Sequence, residues 1–365
     1  MDLILLLAVL YAWECVRTTP ANTVILSGLG GGARFGHGGG VRFLNPLPSA
    51  RRVISGWFPF RVEGTELRSA VPVSRTGLAD NATDGRRREL REDSRVDVVG
   101  SLVRIDGDPF LRAVSPAHAR WLRDLCLRLA TREGSARERA WRAALRRSWD
   151  ATALRGEVDR VRRATRWLAP ICDSSVALVF LVTPAAALLL GEEAALLGLA
   201  PAWLALHLAG LLALASAQRQ LNGWRGRGRA AWPDRERLLV ALLYPPALWR
   251  APQELWCEGL APYGPPALAA GLGDDEACAG LLRRRLAILD SPRALCDPAE
   301  GCTDPVLERR TLERLAHARG LSLERITAPL SDPQAAVYCP VCLAAYLIPV
   351  VACGDCGVQT RGYRR

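Results

Sequence analysis

The stretch from Leu168 to Ala217 limits the chain's folding options more than any other feature. It holds two apolar runs, Ser174–Leu190 and Ala194–Ala217, joined by Gly191-Glu192-Glu193. A hydrocarbon core is roughly 30 Å thick and takes about 20 apolar residues to cross as a helix. Each run meets that length, the first with help from its flanks. Runs this long with so few polar atoms are uncommon in soluble folds. The expectation is a transmembrane helical hairpin over 168–218. Arg160, Arg162, Arg163 and Arg166 precede it, Arg219, Arg225, Arg227 and Arg229 follow it, and the tip carries only acid. Positive-inside asymmetry then puts the soluble parts and the C-terminus in the cytoplasm of a bacterial-type inner membrane. Trp167 and Trp224 fit interfacial anchors.

The remaining sequence divides by texture. Residues 1–16, including the apolar Leu3–Val16, read as an uncleaved membrane anchor, because Asp2 stands where a signal peptide would carry a basic residue. Residues 17–115 form a small β-rich module, with strands expected at Thr23–Leu26, Val41–Leu44, Val53–Trp57 and Val96–Ile105. Asp106-Gly107 reads as a hairpin turn between Leu102–Ile105 and Phe110–Val114. The Arg-rich stretch Gly77–Asp97 reads as a loop. Residues 116–167 form basic amphipathic helices, with Trp121, Leu125 and Leu129 on one stripe. Trp141, Leu145, Trp149, Val158 and Val161 make another. Their Arg-rich faces suit anionic lipid headgroups. Residues 219–253 are juxtamembrane or interfacial, since Pro245-Pro246 breaks Leu238–Trp249. Residues 254–335 are a helical cytoplasmic region, with helices expected over Asp274–Leu289 and from Asp304-Pro305 to Gly320. The fold class is thus a multi-domain membrane protein of mixed α and β structure, ending in a metal-binding ribbon over 336–365.

All 48 Lys-plus-Arg residues are Arg, and the formal charge is +11. With abundant Ala, Gly, Leu and Pro, this reflects a coding bias, so Arg richness argues only weakly for a phosphate partner. The missing Lys excludes the usual P-loop, Schiff-base and protein-kinase chemistries. The four His, His37, His118, His207 and His317, form no HExxH pair. The 11 Cys are odd in number and mostly irregular in spacing, which fits a reducing compartment.

Four of those cysteines form the clearest constellation: Cys339-Pro-Val-Cys342 and, ten residues on, Cys353-Gly-Asp-Cys356-Gly357. Two CxxC turns present four thiolates from two tight loops, and thiolates at about 2.3 Å around zinc make a closed tetrahedral site. Gly357 lets backbone N–H groups face the sulfurs. The segment resembles zinc-ribbon and rubredoxin-type knuckles over its last thirty or so residues. The resemblance implies Cys339, Cys342, Cys353 and Cys356 as ligands of a structural zinc. Leu343 departs from the glycine often found after the first pair. Iron, a dithiol redox pair or simple disulfides are the alternatives.

His207 lies inside the second apolar run, with Thr183 of the first at similar depth, and a His207–Thr183 hydrogen bond would satisfy it. Ala205, Ala209, Ala213 and Ala217 form a small-residue face suited to close helix packing. Gly28-Leu-Gly30-Gly-Gly-Ala33 follows a strand and mimics a dinucleotide fingerprint. A second Gly-rich loop is expected after it rather than the required helix. No catalytic or cofactor-binding residue is assigned. The functional expectation is a membrane-anchored scaffold or interaction protein of unknown process, with a structural zinc module. Its partners would be the lipid bilayer, its anionic headgroups and possible protein partners. The alternatives are a redox or electron-transfer protein using the four-cysteine site, or a membrane-associated nucleic-acid-binding protein.

Overall fold

The structure is a computed structural model, described here over residues 2–18, 23–28, 34–38, 42–45, 47–69, 87–224, 232–290, 305–322, 326, 334–341, 343–355 and 357–362. The fold is mixed α and β, with small sheets, and it divides into two compact units that are not contiguous in sequence. Unit 1 comprises 1–19, 40–53 and 156–260; unit 2 comprises 20–39, 54–155 and 261–365.

Unit 1 opens with helix α1 (Asp2–Cys15), which runs into strand β1 (Val16–Thr18). Three strands later in the chain, β2 (Thr23–Ser27), β3 (Arg34–Gly38) and β4 (Arg42–Leu44), follow; β4 returns to pair antiparallel with β1, Val16 opposite Leu44. The first apolar limb is α5 (Leu168–Ala177), a π turn (Leu178–Val182) and α6 (Thr183–Leu190). The π turn has a local cause: Pro184 has no N–H for the carbonyl one turn back, and the ladder widens ahead of it. Thr183 Oγ1 donates to the Leu178 carbonyl at 2.8 Å and covers the loosened turn. The second limb is the long helix α7 (Glu192–Trp224). A single residue, Gly191, separates the two limbs, with φ 87 and ψ 156, a conformation open essentially to glycine alone.

Two helices are long and apolar enough to cross a membrane: Leu168–Leu190, 23 residues or about 35 Å, and Glu192–Asn222, 31 residues or about 46 Å. Only 17% of the most apolar window of each is buried. Leu181, Leu188, Leu189, Leu197 and Leu212 are each at least 69% exposed. The buried face of α7 carries His207, Gly210, Leu214, Ala217 and Leu221, at helical spacings of three and four. The Ala205–Ala209–Ala213 stripe is therefore not the face packed within this chain; only Ala217 of that set is buried. Close approach occurs at Gly210 instead, where an added Cβ would lie 2.9 Å from Leu248 Cδ2.

Leu248 belongs to α9 (Pro245–Leu260), which follows α8 (Trp232–Leu243) after a break at Tyr244, ahead of the two prolines. Trp249 of α9 is fully buried and donates from Nε1 to Ser175 Oγ at 3.0 Å. Its ring meets Tyr11 edge-on at 5.1 Å and Phe180 at 5.5 Å, while Tyr11 stacks on Phe180 at 5.8 Å. That aromatic cluster fastens α1 and the first apolar limb to α9.

Unit 2 is built on short antiparallel sheets. One has the order β3-β2-β5, where β5 is Val53–Ser55. β3 continues directly after the Gly-rich stretch, pairing Thr23 with Gly38. A strand thus replaces the loop expected there, and among the described residues no helix follows the Gly-rich stretch to offer its N-terminus to a pyrophosphate. A second sheet, β6 (Phe60–Glu63), β7 (Glu66–Ser69) and β8 (Arg87–Glu89), was not legible in the sequence, and β8 falls inside the expected loop Gly77–Asp97. The 77–86 part of that expected loop lies outside the described residues. The third sheet is β9 (Val96–Val99), β10 (Leu102–Ile105) and β11 (Asp108–Arg112). The single strand expected over Val96–Ile105 is two, because Gly100-Ser101 reverses the chain, with φ 61 at Gly100. The Asp106-Gly107 turn is as expected: both residues have positive φ, 53 and 84, as a type I′ hairpin requires.

Helices α2 (Pro116–Ala130) and α3 (Gly134–Ser148) cover these sheets, and α4 (Ala151–Thr165) follows, its residues from Gly156 onward belonging to unit 1. The expected stripes are the buried ones: Leu125, Leu129, Trp141, Leu145, Trp149, Val158 and Val161 are all within 4% of full burial, and Trp121 packs partly buried beside them. Trp141 Nε1 donates to the Phe60 carbonyl at 3.1 Å. Buried Arg137 ties the end of α2 to a hairpin, donating to the carbonyls of Leu129 at 3.0 Å, Arg132 at 2.7 Å and Thr65 at 3.2 Å. Next come α10 (Pro265–Leu272), α11 (Asp275–Leu289) and α12 (Pro305–Ala318). Asp274 caps α11 through Ala277 N at 2.7 Å. After α12, Gly320 N bonds His317 O at 2.9 Å and Leu321 N bonds Ala316 O at 2.9 Å, the paired closure expected of a glycine stop.

Candidate metal centre

The C-terminal ribbon folds as a three-stranded sheet of order β13-β12-β14, with β12 at Val337–Tyr338, β13 at Ala345–Tyr346 and β14 at Arg361–Gly362. Val337 faces Tyr346 on one side and Gly362 on the other. One CxxC loop leaves β12 and returns through β13. The other precedes β14 and is bridged by Ala352 and Gln359.

The two loops repeat one backbone pattern. Cys339 N donates to the Ala344 carbonyl at 2.8 Å, and the Cys339 carbonyl accepts from Leu343 N at 2.9 Å. In the second loop Cys353 N donates to the Val358 carbonyl at 2.9 Å, and the Cys353 carbonyl accepts from Gly357 N at 2.9 Å. The fourth residue after each leading cysteine has φ 64, Leu343 in one loop and Gly357 in the other. Leu343 therefore adopts the left-handed conformation that glycine fills without strain. For an L-residue that costs roughly 1–2 kcal/mol, so the surrounding bonds must hold it there.

Two of the four sulfurs lie within the described residues. Cys339 and Cys353 are buried, and they pack with Ala287, Val341 and Val358 in a small apolar cluster. Val341 N–H lies 3.4 Å from Cys339 Sγ, and Tyr346 Oη donates to Cys353 Sγ at 3.1 Å. Donation to sulfur stabilises the anion that a metal needs. This donor set, soft sulfur presented by paired turns, fits a closed zinc or iron site. Cys342 and Cys356 lie outside the described residues. Among the described residues no group of three or more His, Cys, Asp or Glu side chains is placed to hold a metal ion. Tyr346 was missed in the sequence, although an aromatic hydroxyl seven residues before a candidate cysteine on a hairpin is a visible signal.

The other thiols differ. Cys126 and Cys278 are buried away from this cluster, and burial pushes them up to about 12 and about 11. Such thiols stay protonated and inert. Cys296 and Cys302 lie outside the described residues.

His207 does not meet Thr183. Its Nε2 lies 3.3 Å from the Leu242 carbonyl, and its ring stacks on Trp203 at 5.6 Å. Thr183 instead serves its own helix, because the π turn exposes the Leu178 carbonyl beside it. Of the flanking groups, Arg166 stacks on the exposed Trp167 ring at 5.4 Å. Arg225, Arg227 and Arg229 are outside the described residues.

No family model, curated protein or solved structure matches this chain.

Proposed function

We propose that the protein is a membrane-anchored interaction protein whose apolar hairpin spans the bilayer and whose C-terminal ribbon is held by zinc. The supporting observation is the exposure of the hairpin. Ten Leu and Val side chains of its two limbs are at least 43% exposed. At about 1–2 kcal/mol each, covering them with lipid is worth on the order of 15 kcal/mol. A soluble protein would have to leave a patch of that size in water. The Arg-rich ends and acidic tip support an orientation with the soluble parts and C-terminus in the cytoplasm. The exposed arginines beside the hairpin would face anionic headgroups.

In the ribbon, Cys339, Cys342, Cys353 and Cys356 would hold the metal, and the metal would tie two loops that share little other core. Burial of Cys339 and Cys353, with sulfur-directed donors at each, supports that reading. Its role is then recognition by a small rigid module rather than turnover. The test joins extraction and metal analysis. Membranes washed with alkaline carbonate should retain the protein, and the detergent-purified chain should carry one zinc that Cys339→Ser removes. Release by carbonate would refute the membrane reading. A coloured sample that bleaches on reduction would replace zinc with iron and the scaffold with an electron carrier.

A further inference from the structure

A cavity of about 620 Å³ opens in unit 2 between the α3–α4 corner and one face of α12. That size suits a small-molecule ligand. Four guanidiniums line it, from Arg146, Arg155, Arg314 and Arg319, against one carboxylate, Asp150. Asp150 is already engaged: its Oδ1 accepts from Thr152 N at 3.0 Å and Ala153 N at 2.9 Å, capping α4. Arg319 is also engaged, with Asp275 at 2.8 Å and the Gly273 carbonyl at 2.8 Å. The other three have no carboxylate partner among the described residues. Arg155 reaches only the Gly271 carbonyl, at 3.3 Å, and Arg314 the Arg310 carbonyl and Thr311 Oγ1, each at 3.2 Å. Arg146, Arg155 and Arg314 are solvent-exposed at the cavity, and their summed positive potential attracts an anion to it. Guanidiniums match phosphate oxygens in pairs. The remaining wall is apolar, formed by Trp149, Ala270, Leu307 and Leu315.

We infer that this cavity binds a phosphate-bearing small molecule with an apolar body, its phosphates held by Arg146, Arg155 and Arg314. With no Lys in the chain, Arg is the side chain that carries a fixed positive charge for this. Every residue involved belongs to unit 2, so the site stands or falls independently of the membrane and metal readings.

The experiment is calorimetric titration of the detergent-purified full chain with adenosine triphosphate, and separately with pyrophosphate, at fixed ionic strength. Saturable binding of the nucleotide is expected, with pyrophosphate weaker. Arg155→Ala and Arg314→Ala should each weaken the nucleotide about ten-fold. Arg128→Ala, on the exposed face of α2 outside the cavity, should leave it unchanged. Circular dichroism checks each fold, and Arg146→Gln replaces either variant that fails. No saturable nucleotide binding to the wild type would overturn the inference, as would binding that Arg155→Ala and Arg314→Ala leave intact. Equal affinity for pyrophosphate would remove the apolar wall from it. A single-stranded oligonucleotide that displaces the nucleotide at matched phosphate concentration would reassign the site to nucleic acid.

Discussion

Glu308 offers the sharpest test of how unit 2 holds together. Its carboxylate is fully buried on α12 and receives two bonds from Arg285 of α11, Nε at 2.6 Å and Nη2 at 3.0 Å. Arg285 is itself only 2% exposed, with its guanidinium carbon 4.5 Å over the Trp57 ring. Bringing two charges out of water costs several kcal/mol each, and their mutual attraction returns most of it only while both are present. Replacing Glu308 by Gln keeps the shape and one acceptor but takes the carboxylate charge away from the buried Arg285 guanidinium. The expected loss is about 3–5 kcal/mol. For a unit of this size, roughly 2–4 °C of melting temperature accompanies each kcal/mol, so the transition should fall by about 6–20 °C.

The double variant Arg285→Met/Glu308→Leu removes both charges and substitutes apolar volume. It should recover to within about 2 kcal/mol of the wild type, the residue of the deficit being the lost stacking on Trp57. The assay is thermal unfolding of the detergent-solubilised full chain, followed by near-ultraviolet circular dichroism. A Glu308→Gln variant that loses less than about 1 kcal/mol would refute the reasoning. So would a double variant as unstable as the single one, since the penalty would then lie in the bonds rather than in the charge left on Arg285.

Other perturbations probe other parts. His118 is buried on α2 with no hydrogen-bond partner for Nδ1 among the described residues, and burial holds it down from 6.5 to about 4. The unfolded chain takes up that proton first, so stability is full above about pH 6.5 and declines by about 3 kcal/mol as pH falls toward 4. His118→Phe should flatten that part of a stability-against-pH curve. Gly191→Ala forces an L-residue to φ 87 at the hairpin tip and should cost about 1–3 kcal/mol, read as a lower melting temperature in detergent. Gly210→Ala should be mild, because the atom it meets is the mobile end of Leu248. Gly210→Leu should separate α7 from α9 and raise protease sensitivity. Chelation of the purified protein should unfold the ribbon, seen as new hydrogen exchange at Cys339 N and Cys353 N, whereas exchange in β9–β11 should not change.

What the sequence revealed follows the range of the forces involved. The apolar limbs, the stripes on α2 and α3, the Asp106-Gly107 turn, the N-cap of α11 and the glycine stop after α12 depend on neighbours within a few residues, so pattern exposes them, while the expected cap Asp304 lies outside the described residues. The β6–β7–β8 sheet escaped because its strands are only three or four residues long, too short for the alternation of β6 and β7 to stand out. The partner of His207 escaped because Pro184 changed what Thr183 had to satisfy. At the ribbon, CxxC spacing pointed to the ligand loops, and Leu343 counted against it as a missing glycine. The structure gives Leu343 the same φ as Gly357, so the departure lies in residue identity and not in backbone shape.

The basic cavity was illegible for a different reason, and that reason bears on function. Arg146 and Arg155 are exposed on Arg-rich helices, and in a chain where every Lys-or-Arg position is Arg they look like one more solvated face. Arg314 is separated from them in sequence by the whole of the apolar hairpin. Among the described residues none of the three forms an ion pair, whereas Arg142, Arg160 and Arg162 on the same stretch each pair with an acid three or four residues away. Local i,i+3 and i,i+4 pairing neutralises an ordinary helix surface. Where the fold gathers the unpaired arginines into one concavity, the charge is left for something else to neutralise.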